Sequence, residues 1–173
     1  MKKSFLLPAC LVTFTSFVAC AQTMPFGSVA EQDYGTNLWR VLETAKLVGE
    51  DKIMAWPYEG NPPHGDKLVT LESRITVNGQ TGPVLVKHNY GPDVSLEEVS
   101  NNPAGSLVAT TVMFKRQGYD SDNRDWFFAK YLPDASYDVA PDGSTPLVGS
   151  PTGCVSCHSN APGSDMVFLN NKY

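Results

Sequence analysis

The sequence predicts an α+β fold: a mainly antiparallel β-sheet, one N-terminal helix before it, and a C-terminal segment with a Cys-x-x-Cys-His motif. Three observations support this prediction. Apolar residues recur with a helical period near residue 40, they alternate with polar residues in the middle of the chain, and the motif ends 15 residues before the C-terminus. A chain of 173 residues is the right length for one domain, which we place at residues 22–173.

The first predicted element is a helix that ends near Val48. Asp33 or Thr36 is its expected N-cap, and Lys46 and Gly49 are typical of a helix terminus. Spacings of three, four and seven residues place four apolar side chains on one face: Leu38, Val41, Leu42 and Ala45.

Four strands follow, at about residues 71–77, 84–90, 107–116 and 125–132, where apolar and polar residues alternate or β-formers cluster. A loop rich in Pro and Gly, residues 56–66, precedes them. Residues 78–83 are expected to connect the first pair and residues 120–124 the last pair. Residues 133–153 are expected to form a loop.

Residues 1–21 have the pattern of a secretory signal peptide. Lys2 and Lys3 precede a short apolar run, and Ala19-Cys20-Ala21 is a small-x-small cleavage site. The alternative is a lipoprotein, since residues 17–20 resemble a lipobox with Cys20 as the lipidated residue. We therefore expect export to the bacterial periplasm, with membrane attachment only if Cys20 is lipidated.

The charge of the chain is moderately acidic. It has 18 acidic and 13 basic residues, a net charge of −5 at pH 7. Removing residues 1–21 takes away Lys2 and Lys3, which leaves 11 basic against 18 acidic residues, about −7. No basic patch indicates a nucleic-acid partner. This balance fits a soluble exported protein that meets a soluble, basic redox partner.

The motif CVSCH, residues 154–158, is the attachment pattern of a c-type haem. Cys154 and Cys157 can add to the two vinyl groups of one porphyrin, and His158 then lies within reach of the iron as the fifth ligand. The sequence thus predicts one covalent haem c per chain, with Cys154, Cys157 and His158 as its binding residues and His158 as the metal ligand.

Other uses of the cysteine pair remain open. A thioredoxin-like dithiol needs a βαβ unit, which the predicted strands lack. A four-ligand zinc site needs more ligands, and only His64 and His88 remain. An exported domain with a redox-active disulfide and no haem is the plainest alternative.

Three segments resemble the cytochrome P-460 family, which includes the β-sheet type of cytochrome c-prime: GPVLVKHNYG (residues 82–91), TVMFKRQGYDSDNRDWFFAKY (111–131) and GCVSCHSNAPGSDMVF (153–168). The resemblance covers roughly residues 68–168. One departure is Met166, where family members often have Tyr.

The resemblance implies a mainly β protein, often a homodimer, with a His-ligated haem and an open sixth iron position. It implies oxidation of hydroxylamine or a related small nitrogen compound. The alternative is a non-catalytic cytochrome that binds nitric oxide or transfers electrons. Lys87 is the residue expected to form a porphyrin crosslink, and strand alternation places it on the opposite face from His88.

Several other residues are expected near the haem by position alone. His64 is a candidate distal residue, with a solvated loop residue as the alternative. Met113 and Met166 are expected to pack rather than to bind iron. Arg74 and Arg116 are candidates to pair with haem propionates, with a role as strand-surface residues as the alternative. Five carboxylates are hypothetical proton acceptors for the oxidation: Glu97, Glu98, Asp120, Asp122 and Asp125.

Overall fold

The computed structural model describes residues 26–168, so the predicted signal peptide and its cleavage site lie outside the described residues. Six strands form one antiparallel sheet in sequence order, β1-β2-β3-β4-β5-β6. The strands are β1 (Tyr58–Glu59), β2 (Lys67–Val77), β3 (Gln80–Tyr90), β4 (Leu107–Lys115), β5 (Trp126–Tyr131) and β6 (Val148–Gly149). The helices are α1 (Val29–Thr44), α2 (Leu96–Asn101) and α3 (Thr152–His158).

Helix α1 begins five or more residues before the predicted start. Ser28, not Asp33 or Thr36, is the N-cap, and it forms a capping box with Glu31. The Ser28 hydroxyl accepts a hydrogen bond from the Glu31 N–H, and the Glu31 carboxylate accepts one from the Ser28 N–H. This reciprocal pair satisfies two N–H groups that have no helical partner, which favours Ser28 over the later candidates.

The end of α1 also differs from the prediction, because the helix stops at Thr44 rather than near Val48. Lys46 adopts a left-handed conformation with φ 57°. The Leu47 N–H donates to the Leu42 carbonyl and the Lys46 N–H to the Glu43 carbonyl, which is a Schellman motif. Leu42 and Leu47 are both buried in the core, so apolar packing stabilises a turn that usually requires glycine.

The connection between β2 and β3 is much shorter than the six residues predicted. Val77 pairs with Gln80, so Asn78 and Gly79 alone form the turn. Both have positive φ, 49° and 81°, as a two-residue turn that matches strand twist requires. Because the turn is so short, β2 and β3 pair along their whole length and form the centre of the sheet with β4.

Alternation along the strands gives the sheet two different faces. Val84, Val86 and His88 of β3 point to the face covered by α1. Leu85 and Lys87 point to the opposite face. The α1 face carries the main core: Tyr34, Leu38, Leu42, Leu47, Val48, Ile75, Val77, Val84, Val86, Val112, Phe114, Phe127, Ala129, Tyr131 and Val148. The site lies on the other face.

Short elements account for the remaining differences. Strand β1 lies inside the predicted loop 56–66, and β6 lies inside the predicted loop 133–153. Helix α3 carries the Cys-x-x-Cys-His motif and packs beside the sheet face opposite α1. Across residues 26–168, no helix is both long enough and apolar enough to cross a membrane.

Candidate functional site

A cavity of about 400 Å³ lies between the sheet face opposite α1, helix α3 and the loop that carries His64. Its volume is typical of sites for cofactors and small ligands. Its floor is formed by two rows of side chains, and the members of each row are cross-strand neighbours on adjacent strands. One row is apolar (Leu85, Met113, Phe128) and the other polar (Thr70, Lys87, Thr111, Lys130). The floor is therefore fixed by strand register.

Helix α3 brings the three motif residues to this cavity. Cys154 and Cys157 are one helical turn apart, so both thiols lie on the same side of the helix. His158 follows at the last helical position, and all three residues line the cavity. The two thiols are free rather than joined in a disulfide. Burial raises the pKa of the Cys154 thiol.

One ring nitrogen of His158 makes a hydrogen bond to the backbone, and the other is available to bind a metal. The Nδ1–H donates to the Met166 carbonyl at 2.9 Å. This bond fixes the tautomer, so Nε2 carries the lone pair that binds a metal. Burial is the main reason that the pKa of His158 is lowered, which keeps the imidazole neutral at neutral pH. The ring is held in edge contact with Phe128 and Phe168, at 5.4 and 5.5 Å between centroids.

The Met166 carbonyl is held in place by its neighbours. Met166 has a positive φ of 58°, which is uncommon for a residue with a long side chain. The preceding residue, Asp165, is anchored twice: its carbonyl accepts from the Trp126 indole N–H at 2.8 Å, and its carboxylate pairs with Lys115. These bonds orient the carbonyl that orients His158.

Lys87 lines the cavity together with the motif residues. Its ammonium takes part in no ion pair or side-chain hydrogen bond with residues 26–168. Burial lowers its pKa, because the charged form loses hydration. A lysine amine in this environment is more readily deprotonated, and a deprotonated amine is a nucleophile.

His64 also enters the cavity, although it lies in a loop far from the motif in sequence. Its ring centroid is 6.1 Å from that of His158, with 77° between the ring planes. Its Nδ1 lies 3.3 Å from the Thr111 hydroxyl. Burial and the nearby Lys87 charge lower the pKa of His64 to about 4, so this imidazole is neutral at neutral pH.

His88 is separate from the site, as strand alternation predicts. It is buried on the α1 face, where its Nε2–H donates to the Leu47 carbonyl at 3.0 Å and its Nδ1 accepts from the Thr110 hydroxyl at 3.1 Å. Burial, together with the Lys52 charge, lowers its pKa to about 4. His88 is therefore a packing residue with both nitrogens satisfied.

The hypothetical proton acceptors lie elsewhere in the described structure. Asp120 accepts from Asn123 and Ser150, and Glu98 completes the capping box of α2. None of the five carboxylates lines the cavity: Glu97, Glu98, Asp120, Asp122 and Asp125. Within residues 26–168 the basic groups that line it are His64, Lys87, Lys130 and His158.

The two arginines and the two methionines are also located. Arg116 stacks on the Tyr34 ring at 4.0 Å on the α1 side, and Arg74 is exposed on β2. Neither lines the cavity, so neither is placed to pair with a group inside it. Met113 and Met166 are buried in the apolar cluster beneath α3, as packing residues.

The donor set fits a covalently attached haem. Two thiols, a neutral imidazole with a free Nε2 and a largely apolar wall line one cavity, and these are the parts that c-type attachment requires. Residues 26–168 contain no cluster of three or more His, Cys, Asp or Glu able to hold a metal ion.

Fold and site together define a β-sheet c-type cytochrome. The sequence matches the family described as Cytochrome P460 over residues 66–169, more than half of the chain. The chain therefore belongs to that family, and membership implies haem binding. The match confirms the family resemblance seen in the sequence. The α+β fold predicted from sequence is also confirmed. No curated protein and no solved structure matches the chain.

Two groups at the site could not be identified from sequence. The Met166 backbone carbonyl leaves no sequence signal, because any residue supplies a carbonyl. Thr111 is one of many β-strand threonines, and only the register of β4 places it beside Lys87 and His64. His64 was a candidate distal residue from the sequence, and the structure places it at the cavity.

Proposed function

We propose that this chain is an exported mono-haem c-type cytochrome that oxidises hydroxylamine or a related small nitrogen compound. Cys154 and Cys157 would hold the haem through thioether bonds, and the His158 Nε2 would be its iron ligand. The observation that carries the proposal is that these three residues and Lys87 all line the same cavity. When bound, the haem supplies an iron that can accept electrons from the substrate nitrogen.

His158 is suited to the role of proximal ligand. Its Nδ1–H bond to the Met166 carbonyl makes the imidazole a stronger donor and fixes its orientation. The Phe128 and Phe168 rings exclude water from its edges. A dry, oriented imidazole is one of the means by which a protein sets haem reactivity.

Lys87 is the residue we assign to the porphyrin crosslink. It lies in the middle of β3 with its amine unpaired among the described residues and its pKa lowered by burial. A bond from the Lys87 nitrogen to a macrocycle carbon would replace one N–H and one C–H, with the two electrons and two protons taken up by an external two-electron oxidant such as a peroxide, and it would join the sheet directly to the porphyrin. Such a bond would distort the ring and change the electron density at iron.

Oxidation of hydroxylamine also releases protons, so the cavity needs a base. Since no carboxylate of the described chain lines the cavity, the neutral imidazole of His64 is the group we assign as proton acceptor. Electrons leave through a soluble redox partner, which the acidic surface would attract if that partner is basic.

The second candidate function is nitric oxide binding or electron transfer without turnover. The observation that favours it is the lack of a carboxylate at the cavity within residues 26–168. A site with few proton acceptors suits ligand binding or electron exchange better than repeated proton release. A homodimer remains an expectation under either function.

Expression with a c-haem maturation system tests the proposal. The intact mass should correspond to one added haem that survives acid–acetone extraction, and the mature N-terminus should be Gln22. A start at diacylated Cys20 would favour the lipoprotein, whereas recovery of the apo mass with a Cys154–Cys157 disulfide would contradict haem attachment. Hydroxylamine-dependent reduction of an external acceptor then distinguishes the enzyme from the non-catalytic cytochrome.

A further inference from the structure

We propose that His64 is the second axial ligand of the resting haem iron, bound through Nε2 on the side opposite His158. The inference rests on the proposed haem attachment and deepens it. It also departs from the open sixth position that the family resemblance implied. His64 precedes the region that matches the family, residues 66–169, so its role has to be argued from this chain alone.

The separation of the two imidazoles is the first argument. Metal–imidazole bonds are about 2.0–2.1 Å long and the ring centre is about 1.1 Å from each nitrogen, so two imidazoles on opposite sides of one metal have centres about 6.3 Å apart. The His64 and His158 centroids are 6.1 Å apart. This distance matches two ligands that share one iron.

Direct contact between the rings explains the distance less well. His158 meets the larger phenyl rings of Phe128 and Phe168 at 5.4 and 5.5 Å. Imidazole is smaller than phenyl, so two imidazoles packed edge to face would have centroids closer together than these pairs. The His64–His158 centroid distance of 6.1 Å is longer than either of these contacts.

The hydrogen bonds of His64 leave its Nε2 free. The Thr111 hydroxyl donates to the Lys87 carbonyl at 3.4 Å. Its oxygen is then available to accept from the His64 Nδ1–H at 3.3 Å. With this direction of donation, the His64 ring proton is on Nδ1 and the lone pair is on Nε2. The bond from the His158 Nδ1–H to the Met166 carbonyl has the same consequence for His158.

The backbone holds the His64 loop against the cavity. Gly60 N–H donates to the Asp66 carbonyl at 2.7 Å and closes the loop around His64. A Cβ on Gly60 would lie 2.5 Å from the Gly65 carbonyl oxygen, so the closed loop depends on glycine there. Short β1 pairs with β2 beside it and continues this anchoring.

An axial His64 means that a small ligand or substrate must displace an imidazole before it reaches the iron. The alternative sixth ligand from the chain is Met113, which also lines the cavity. Met113 is instead packed with Trp126, Phe128 and Met166 in the apolar cluster under α3. His64 is the better ligand because its Nε2 has no hydrogen-bond partner among residues 26–168, whereas Met113 belongs to the apolar cluster.

Spectroscopy of the purified holoprotein tests the inference, with intact mass reporting separately that haem is attached. Wild-type ferric protein should be six-coordinate and low-spin, and its electron paramagnetic resonance should show the large-gmax signal of nearly perpendicular imidazole planes. His64→Ala should keep one haem per chain, become high-spin, and bind carbon monoxide about tenfold faster or more when ferrous. Added imidazole should restore the low-spin spectrum of this variant.

Met113→Leu is the matched control, and it should stay low-spin. If His64→Ala does not fold, His64→Gln and the wild-type spectra decide the question. A high-spin wild-type ferric haem at neutral pH would overturn the proposal. So would a low-spin spectrum that persists in His64→Ala or His64→Gln and is lost in Met113→Leu. An apo mass would instead contradict the proposed haem attachment itself.

Discussion

Two adjacent residues of β3, His88 and Lys87, lie on opposite faces of the sheet and differ in whether their side-chain polar atoms have hydrogen-bond partners. His88 points to the α1 face and is 1 % exposed, with both ring nitrogens hydrogen-bonded. Lys87 points to the cavity, where its ammonium has no partner among the described side chains. The α1 face satisfies both nitrogens of His88, and the opposite face leaves the Lys87 amine available.

The difference follows from what covers each face. Helix α1 packs a continuous apolar stripe onto one face, so a polar group there must be satisfied inside the protein. Within residues 26–168, short α3 and the His64 loop flank the opposite face and leave a cavity of about 400 Å³ against it. Unpaired donors and acceptors on that face are therefore positioned for a ligand.

The largest expected effect concerns Lys87. Lys87→Leu should leave haem attachment intact but abolish the red-shifted ferrous band of a crosslinked haem and lower hydroxylamine oxidation by about 10–100-fold or more. Leucine is an apolar replacement, so strand packing should suffer little. Optical spectra and steady-state rates measure both effects.

Lys130→Leu is the control for this variant, because Lys130 lies in the same row but is paired with Asp138 at 2.7 Å. It should retain the ferrous band. Peptide mapping gives the direct test: the Lys87 peptide and the 154–158 peptide should co-elute through one haem. Clean separation of the two in active wild-type protein would show that Lys87 is not crosslinked.

A matched pair of leucine truncations compares the two faces in stability. Leu38 is fully buried under α1, whereas Leu85 lines the cavity and is only partly buried. Leu38→Ala should lower the free energy of unfolding by about 3 kcal/mol, since it leaves a void in a packed core. Leu85→Ala should cost about 1 kcal/mol, because less apolar surface is lost there.

Guanidinium unfolding measures the stabilities, and the haem absorption spectrum reports on the site. Leu38→Ala should leave the spectrum unchanged, whereas Leu85→Ala should shift it. Equal losses of stability at the two positions would mean that the cavity face is as tightly packed as the core.

The pH dependence of stability should report on His88. Its pKa is about 4 in the folded chain and about 6.5 in the unfolded chain. The unfolded state therefore binds more protons between these values, and stability is lost as the pH falls through this window. From pH 7.5 to pH 5, His88 should account for a loss of about 2 kcal/mol.

His88→Gln keeps an N–H donor for the Leu47 carbonyl but does not titrate in this window. The difference in unfolding free energy between pH 7.5 and pH 5 should shrink by about 2 kcal/mol in this variant. An unchanged pH dependence would mean that His88 is not held neutral by the α1 face.

The smallest expected effect is at the N-cap of α1. Ser28→Ala removes one half of the capping box and should destabilise the protein by about 1 kcal/mol. Asp33→Ala, at an exposed position in the same helix, is the control and should change stability by less than about 0.5 kcal/mol. Thermal unfolding followed by circular dichroism measures the stability of both variants. A larger loss of stability in Asp33→Ala than in Ser28→Ala would indicate that Asp33, as predicted from sequence, is the N-cap.

The sequence by itself determined the features that depend only on residues close together along the chain. The motif at 154–158 requires only local spacing, and alternation along β3 is enough to place Lys87 and His88 on opposite faces. The family was also evident, because its segments are continuous in sequence. The N-cap of α1 was missed although its signal is local: Ser28 has Glu31 three residues later as a capping-box partner, whereas Asp33 and Thr36 have no Glu or Gln at that position.

Only the tertiary structure decided which distant groups meet in the cavity. His64 and His158 are brought 6.1 Å apart by strand pairing and by the closed loop at 60–66. The Met166 carbonyl reaches His158 because Trp126 and Lys115 hold Asp165. Such contacts depend on the register of the whole sheet and on backbone atoms that every residue shares. No local pattern of side chains encodes them, and the folded chain is needed to place them.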